Sequence, residues 1–172
     1  MINDVFRTAV YFIVLALLQV LVLNNIHYLG LATPFVYLYC LLKMPVGVSR
    51  SRMLFISFFI GLAIDIFSNT QGMHASACTL AGFLREPLIR LLQGEDLPVG
   101  VYPSFYTFGH KGFFRYVLLF VIIHHCVLFL IEALSFFDSY YLLLRIGASV
   151  VTTVLLIMIF ELFNFESQKV GE

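Results

Sequence analysis

Two ionisable side chains stand inside long apolar runs of this 172-residue chain, Asp65 and Arg145. A charge within a membrane span costs roughly 2.5–3.5 kcal/mol on insertion scales, so such residues usually face the protein interior or a polar partner. Asp65 lies three residues before the outer end of its predicted helix, and Arg145 lies about five residues after the outer start of another. Their depths therefore agree to within one helical turn. Either the two side chains form an ion pair, or each extends separately to the outer membrane surface.

The remaining polar residues predict no catalytic site, metal or cofactor. His124 and His125 are adjacent, and neighbouring residues on a helix point about 100° apart, so they are poorly placed to chelate one ion and are expected to be packed or interfacial. The sequence has no Gly-x-Ser-x-Gly nucleophile elbow and no Gly-x-x-x-x-Gly-Lys phosphate loop. Three cysteines lie in apolar runs without forming a Cys-x-x-Cys pair, and we expect them to be packing residues: Cys40, Cys78 and Cys126.

The composition places these side chains in a membrane. Hydrophobic residues make up 61% of the chain and charged residues 12%, about half of the roughly 25% that is usual in a soluble domain. So few polar residues could not cover a soluble core of this size, which excludes an ordinary soluble enzyme and a nucleic-acid-binding domain. The apolar runs are continuous and do not alternate with a period of two, which favours helices over a β-barrel. We therefore predict an all-α, polytopic integral membrane protein.

Turn signals divide the chain into six predicted spans, since a membrane helix needs about 20 apolar residues. The apolar run 8–42 is too long for one span, and Asn24 and Asn25 interrupt it. Pro34 lies in the first turns of the second span, where a missing N–H costs little. The segment 93–113 is rich in Gly, Pro, Phe and Tyr and predicts an interfacial loop. The spans form a single domain at 8–24, 29–44, 53–68, 75–92, 114–134 and 140–163.

The distribution of basic residues predicts the orientation. Nine of the ten Lys and Arg residues fall on one side of the six spans, and the tenth is Arg145 inside the last span. By the positive-inside rule, both termini are then cytoplasmic. The aromatic loop 93–113 is expected on the inner surface, close to anionic lipid. The nine residues are Arg7, Lys43, Arg50, Arg52, Arg85, Arg90, Lys111, Arg115 and Lys169.

A short motif spans the predicted turn between the third and fourth spans. Gly61 and Asp65 stand in a Gly-Leu-x-x-Asp-x-Phe-Ser segment, and Gly72 and His74 form the Gly-x-His that follows it. Together with Pro34 early in the second span, this motif resembles MreD, a family of bacterial rod shape-determining membrane proteins. The resemblance extends over essentially the whole chain in length, span count and cytoplasmic termini. The Phe- and Tyr-rich style is similar to that of members from the Bacteroidetes lineage.

The resemblance implies a non-enzymatic scaffold in the bacterial inner (plasma) membrane. Such a protein helps the cell-elongation machinery to direct lateral peptidoglycan synthesis and rod shape. The implied partner is MreC, and through it the RodA glycosyltransferase, a penicillin-binding transpeptidase and the MreB filament; membrane lipid surrounds the protein and nucleic acid is not expected. The residues implied in partner binding or structure are Pro34, Gly61, Asp65, Gly72, His74 and Arg145.

The fold implied by the resemblance is that of the six-helix substrate-binding subunits of energy-coupling vitamin transporters. This leaves an alternative function, the capture of a small molecule for transport. A capture subunit needs a polar pocket near the outer face. Four residues could line such a pocket: Asp65, Asn69, His74 and Arg145. Asp65 therefore has three candidate partners, which are Arg145, His74 and a group on an associated protein.

Overall fold

The computed structural model describes residues 14, 15, 17–19, 32–94, 97–133 and 138–169, the last five of these for their backbone only. Five helices are described between residues 32 and 169, and residues 14, 15 and 17–19 are helical as well. The predicted all-α fold class is confirmed for this part of the chain. The helices are α1 (Leu38–Leu42), α2 (Arg50–Ser68), α3 (Met73–Gln93), α4 (Phe105–Glu132) and α5 (Ser139–Lys169).

Three of these helices, α2, α4 and α5, are long and apolar enough to cross a membrane. The protein is therefore a helical membrane protein, as its composition indicates. Helix α3 is long enough but more polar, because its second half carries Arg85, Glu86 and Arg90. Most of the predicted span 8–24 lies outside the described residues, and the count of six spans stays a prediction.

Consecutive helices pack against each other, α2 on α3, α3 on α4 and α4 on α5. The loop 43–49 meets the loop 97–104 through two backbone hydrogen bonds, from Val46 N to Val101 O (2.8 Å) and from Gly100 N to Val46 O (2.9 Å). We call this end of the bundle the basic end, because α2 begins there with Arg50 and Arg52 and α3 ends there. The opposite end carries the turn 69–72 between α2 and α3.

The predicted second span, 29–44, is not one helix. Its described part is helical only at α1, and residues 33–36 cross the buried interior as non-helical backbone. Pro34 lies in this segment and is itself buried. The continuous-helix prediction is wrong here because side chains from distant helices replace the helical hydrogen bonds.

The side chains that replace those bonds come from residues 15 to 118 positions away. Thr33 N donates to Ser149 Oγ (3.0 Å) and Phe35 N donates to Thr153 Oγ1 (3.0 Å), both on α5. Gln19 accepts from Val36 N (2.9 Å) and donates to Pro34 O (2.9 Å). Irregular backbone is tolerated at membrane depth only where the protein satisfies it in this way.

The predicted loop 93–113 is wrong beyond residue 104, where α4 begins. Ser104 Oγ accepts from Thr107 N (3.2 Å), and Thr107 Oγ1 accepts from Ser104 N (3.0 Å), which forms a capping box. The helix then continues across a kink at Gly109, whose φ of 68° suits a glycine. Three aromatic side chains of the segment are buried in the core, and only Tyr102 and Tyr106 among its Phe and Tyr residues are exposed. The buried ones are Phe105, Phe108 and Phe113.

Candidate functional site

Asp65 caps the N-terminus of α3. Its Oδ1 accepts hydrogen bonds from Thr70 Oγ1 (2.5 Å) and from the backbone N–H of His74 (3.0 Å), and its Oδ2 accepts from the N–H of Ala75 (2.9 Å). The first N–H groups of a helix have no partner within the helix, and the positive end of its dipole favours a carboxylate. The N-cap residue itself, Gly72, has no side chain that could serve. Asp65 therefore supplies the cap from the preceding helix.

The other motif residues shape the same turn. Asn69 and Gly72 adopt left-handed backbone conformations, with φ of 54° and 76°, which let the chain reverse between α2 and α3. Gly61 lies where the two helices come closest, because a Cβ there would stand 2.5 Å from both Ala75 Cα and His74 O. The absence of a side chain at Gly61 lets the backbone of α3 approach Asp65. We call Gly61, Asp65, Thr70, Gly72 and His74 the α2–α3 lock.

Replacement of Gly61 by alanine is expected to destabilise the protein by about 1–3 kcal/mol, because the new methyl group has rigid backbone in its way. The matched control is Gly147→Ala on α5, where a Cβ would meet nothing within 4 Å. That control should be neutral or stabilise by up to about 1 kcal/mol through helix propensity. Unfolding midpoints of both variants in the same detergent measure the difference, and equal midpoints would contradict the close approach.

His74 extends the lock into a buried polar cluster. Its Nδ1 lies 3.0 Å from Tyr37 Oη, and His124 Nε2 lies 2.9 Å from the same hydroxyl. Cys78 Sγ stands 3.7 Å from that oxygen, and the ring of Phe35 packs edge-on against the His74 ring at 5.2 Å. Tyr37 and His124 are fully buried. The cluster therefore joins α3, α4 and the segment just before α1.

One tautomer arrangement satisfies this cluster best. His124 Nδ1 is buried and has no hydrogen-bond partner among the described residues. An orphaned N–H donor costs more than an orphaned acceptor, so we assign the His124 proton to Nε2, which donates to Tyr37 Oη. The Tyr37 hydroxyl then donates to His74 Nδ1. Both imidazoles are neutral in this arrangement and act as structural groups.

His125 serves the non-helical segment. Its Nδ1 lies 2.9 Å from Val121 O, and its Nε2 lies 3.1 Å from Thr153 Oγ1, the same hydroxyl that accepts from Phe35 N. The expectation that His124 and His125 are packed is confirmed by their full burial. They point to different partners and do not converge on one point.

The hypothesis of an ion pair between Asp65 and Arg145 is wrong. Arg145 Nη2 donates to Glu132 Oε1 at 2.9 Å, and its guanidinium lies over the ring of Phe129 at 4.7 Å. Both carboxylate oxygens of Asp65 are already bonded, by the Thr70 hydroxyl and by the N–H groups of His74 and Ala75. Equal depth does not bring the two residues together, because α2 packs chiefly on α3 while α5 packs on α4.

Arg85 links α3 to the end of α1 and to α4, a contact that the sequence analysis does not predict. Its side chain is almost fully buried, and it donates to the carbonyl oxygens of Leu42 (3.3 Å), Pro45 (3.4 Å) and Met44, and to Tyr116 Oη (2.9 Å). These carbonyls end α1, where a cation is favourable to the helix dipole. A sequence signal was present, because Arg85 follows Cys78 by seven residues and Gly82 by three, a spacing that places all three on one face of a helix.

Glu161 was also missed, although it is the only carboxylate within the predicted span 140–163. It is 2% exposed and accepts from Lys43 Nζ (3.1 Å), Tyr39 Oη (2.7 Å) and Phe105 N (3.4 Å). A lone carboxylate in an apolar run signals a buried partner. Here the partners join α5 to α1 and to the start of α4.

These clusters link the helices of the bundle to one another. Each polar side chain of the α2–α3 lock bonds another part of the chain, and no three His, Cys, Asp or Glu residues within the described ranges are placed to hold a metal ion. What the arrangement does is fix the relative positions of α1, α3, α4 and α5. No protein-family model, no curated protein and no solved structure matches the chain.

Proposed function

We propose that this protein is a non-enzymatic membrane scaffold of the MreD type. In this role it binds an MreC-like partner in the inner membrane and, through it, the RodA glycosyltransferase, a penicillin-binding transpeptidase and the MreB filament. It thereby helps to direct lateral peptidoglycan synthesis and rod shape. The proposed domain has six spans with both termini in the cytoplasm.

The observation that carries the proposal is the α2–α3 lock. Gly61, Asp65, Gly72 and His74 are the residues on which the resemblance to MreD rests, and each has a distinct contact or conformation within that one turn. These residues therefore act together to set the close approach of α2 and α3 and to cap α3. The hydrogen bonds of Asp65, Arg85 and Glu161 within the chain also suit a protein that presents a fixed outer surface to partners.

The charge distribution supports the proposed orientation. Lys43 lies in a loop of the basic end, and six further described basic residues lie in the parts of the helices nearer that end: Arg50, Arg52, Arg85, Arg90, Lys111 and Arg115. The pair Arg145–Glu132 lies at the other end. A fluorescent reporter that is dark in the periplasm, fused after Glu172, is therefore expected to fluoresce. The matched fusion after Asp138, between α4 and α5, should be dark. A dark but stably produced fusion at Glu172 would contradict cytoplasmic termini.

Photo-crosslinking tests the scaffold role and identifies the face that binds. A photoreactive amino acid is placed at Phe59 on α2, Leu119 on α4 or Leu155 on α5, which are all exposed and lie on three different helices. Co-expression with the MreC-like partner is expected to give a crosslinked product from one helix, and the other two positions then serve as controls. Crosslinks from none of the exposed helix faces, or equal crosslinks from all, would argue against a defined partner.

The alternative of a substrate-capture subunit is favoured by one observation, the non-helical segment 33–36. Broken helices mark binding sites in many transporters, because their free backbone groups meet the substrate. Here the N–H groups of Thr33, Phe35 and Val36 are already bound by side chains of the chain itself. Scaffold function is therefore the better supported proposal, and a small molecule retained by the purified protein in native mass spectrometry would reverse that order.

A further inference from the structure

Three cavities lie on the protein surface along the line where α2 packs against α3. The first lies at the basic end and measures about 410 Å³, the last lies nearer the opposite end and measures about 420 Å³, and a narrow neck of about 10 Å³ lies between them. Arg50 and Glu86 line both the first cavity and the neck, and Phe83 lines both the neck and the last cavity. These shared residues place the three spaces one after another along α2 and α3, and we call them together the seam groove.

The seam groove is positively charged where it begins. Arg50 from α2 and Arg90 from α3 line the first cavity, and Glu86 is the third charged residue there. The Glu86 carboxylate is already engaged, by Arg90 Nε at 3.7 Å and by the backbone N–H of Gly47 at 3.4 Å. Among the described carboxylates none pairs with Arg50. Among the described residues that line this cavity, two arginines face one carboxylate, which leaves one positive charge for an anionic group.

The cavity at the end of the groove away from Arg50 offers no free hydroxyl donor among the described residues that line it. Leu54, Phe58, Leu80 and Phe83 form most of its wall. The wall also includes two hydroxyls, and both are bonded within α3. They are Ser76 Oγ, which donates to Gly72 O (2.8 Å), and Thr79 Oγ1, which donates to Ala75 O (2.7 Å). Hydrocarbon laid against this wall would bury no unpaired hydroxyl donor, so it would meet little desolvation cost.

We propose that the seam groove binds one anionic phospholipid. Its phosphate lies against Arg50 and Arg90, and an acyl chain runs over the exposed side chain of Phe83 to the apolar cavity beside Leu80. Guanidinium groups match phosphate oxygens in charge and in their planar arrangement of donors. The first cavity falls within the range of about 300–1,000 Å³ that is usual for ligand sites. A basic entrance joined to an apolar groove is complementary to this class of molecule, and the charge excess favours an anionic headgroup over a zwitterionic one.

Lipid retention by the full-length protein tests this assignment. The protein is titrated with phosphatidylglycerol or phosphatidylethanolamine in mild detergent, and bound lipid is counted by native mass spectrometry. We expect one phosphatidylglycerol to bind in preference to phosphatidylethanolamine. The double variant Arg50→Gln with Arg90→Gln should weaken phosphatidylglycerol binding about thirtyfold, at about tenfold for each 1.4 kcal/mol, if each arginine contributes as basic groups near an anionic surface do.

The matched control removes two other exposed charges, by Arg52→Gln with Arg115→Gln, and should bind lipid as the unmodified protein does. If both double variants lose binding equally, the effect is general surface charge and the site is refuted. Equal binding of phosphatidylethanolamine would refute the preference for an anion. All variants are first compared with the unmodified protein by thermal unfolding. Because the four substituted arginines are exposed, both double variants are expected to unfold at the same temperature as the unmodified protein.

Two further experiments distinguish a bound lipid from a soluble phosphate compound and from a protein segment. Ser76→Phe, at an exposed position in the apolar part, should weaken binding of the diacyl lipid but leave Arg50 and Arg90 untouched. Soluble glycerophosphoglycerol should compete poorly, because it has no acyl chains. If it competes as well as the lipid, the site takes a free phosphate compound and the lipid assignment is wrong. The lipid assignment would also be wrong if a photoreactive amino acid at Leu80 crosslinked to a protein segment while no lipid was bound.

Discussion

Asp65→Ala is expected to lower the free energy of unfolding by about 2–6 kcal/mol. The variant leaves the N–H groups of His74 and Ala75 buried without an acceptor, and each such orphan costs about 1–3 kcal/mol. Asp65→Asn should cost about half as much, since its carbonyl oxygen can still accept one of the two hydrogen bonds. Thermal and denaturant unfolding of the detergent-solubilised protein measure the series, with the expected order of stability from Asp65 through Asn to Ala.

Two control variants test whether Asp65 stabilises the protein as the cap of α3 or through an ion pair with Arg145. Arg145→Gln removes a partly exposed pair with Glu132 and should cost only about 0–1 kcal/mol. Exchange of the two charges, by Asp65→Arg with Arg145→Asp, should be at least as unstable as Asp65→Ala, because a guanidinium cannot accept from a helix N-terminus. Recovery of stability in the exchanged variant would show that the two residues do interact, and the cap assignment would fail.

The α2–α3 lock shows what a sequence can predict about this fold. Asp65 was identified as a charge inside an apolar run, and Gly61, Gly72 and His74 were identified with it through the motif that resembles MreD. The acceptor role of Asp65 was not predicted, although its partners are only nine and ten residues away. The partners predicted for Asp65 were side chains, whereas the groups that stabilise this carboxylate are mainly backbone N–H groups. Every residue except proline carries such a group, so no sequence pattern marks it.

Hydrophobicity predicted where α2, α4 and α5 lie. The predicted and observed boundaries agree to within three residues at four of the six helix ends. Hydrophobicity failed at residues 33–36 and at the start of α4 for opposite reasons. The first segment is as apolar as a helix, but its backbone bonds go to Ser149 and Thr153, more than 110 residues later. The second contains glycines that are typical of a loop, yet Gly109 only kinks the helix. Long-range hydrogen bonds and the angle of a kink depend on packing, which local composition does not record.

Arg85→Met is expected to destabilise the protein by about 3–5 kcal/mol and to loosen its basic end. The guanidinium satisfies the last carbonyls of α1, at Leu42, Met44 and Pro45, together with the hydroxyl of Tyr116. Methionine fills similar space but donates nothing, so several buried acceptors lose their donor. Arg85→Lys should give an intermediate loss of stability, because one ammonium group cannot reach all the acceptors that the planar guanidinium of arginine reaches.

The control is Arg90→Met, the same substitution five residues later on the same helix. Arg90 is 62% exposed and its contact with Glu86 is a surface pair, so this change should cost about 0–1 kcal/mol. Hydrogen exchange supplies a local measurement. Amides of 38–49, including Val46 N, which bonds Val101 O, should exchange faster in Arg85→Met, while those of the α2–α3 lock should change less. If the two arginine variants unfold at the same midpoint and exchange alike, Arg85 does not hold the end of α1, and the link between α1, α3 and α4 must lie in the aromatic packing around Tyr116.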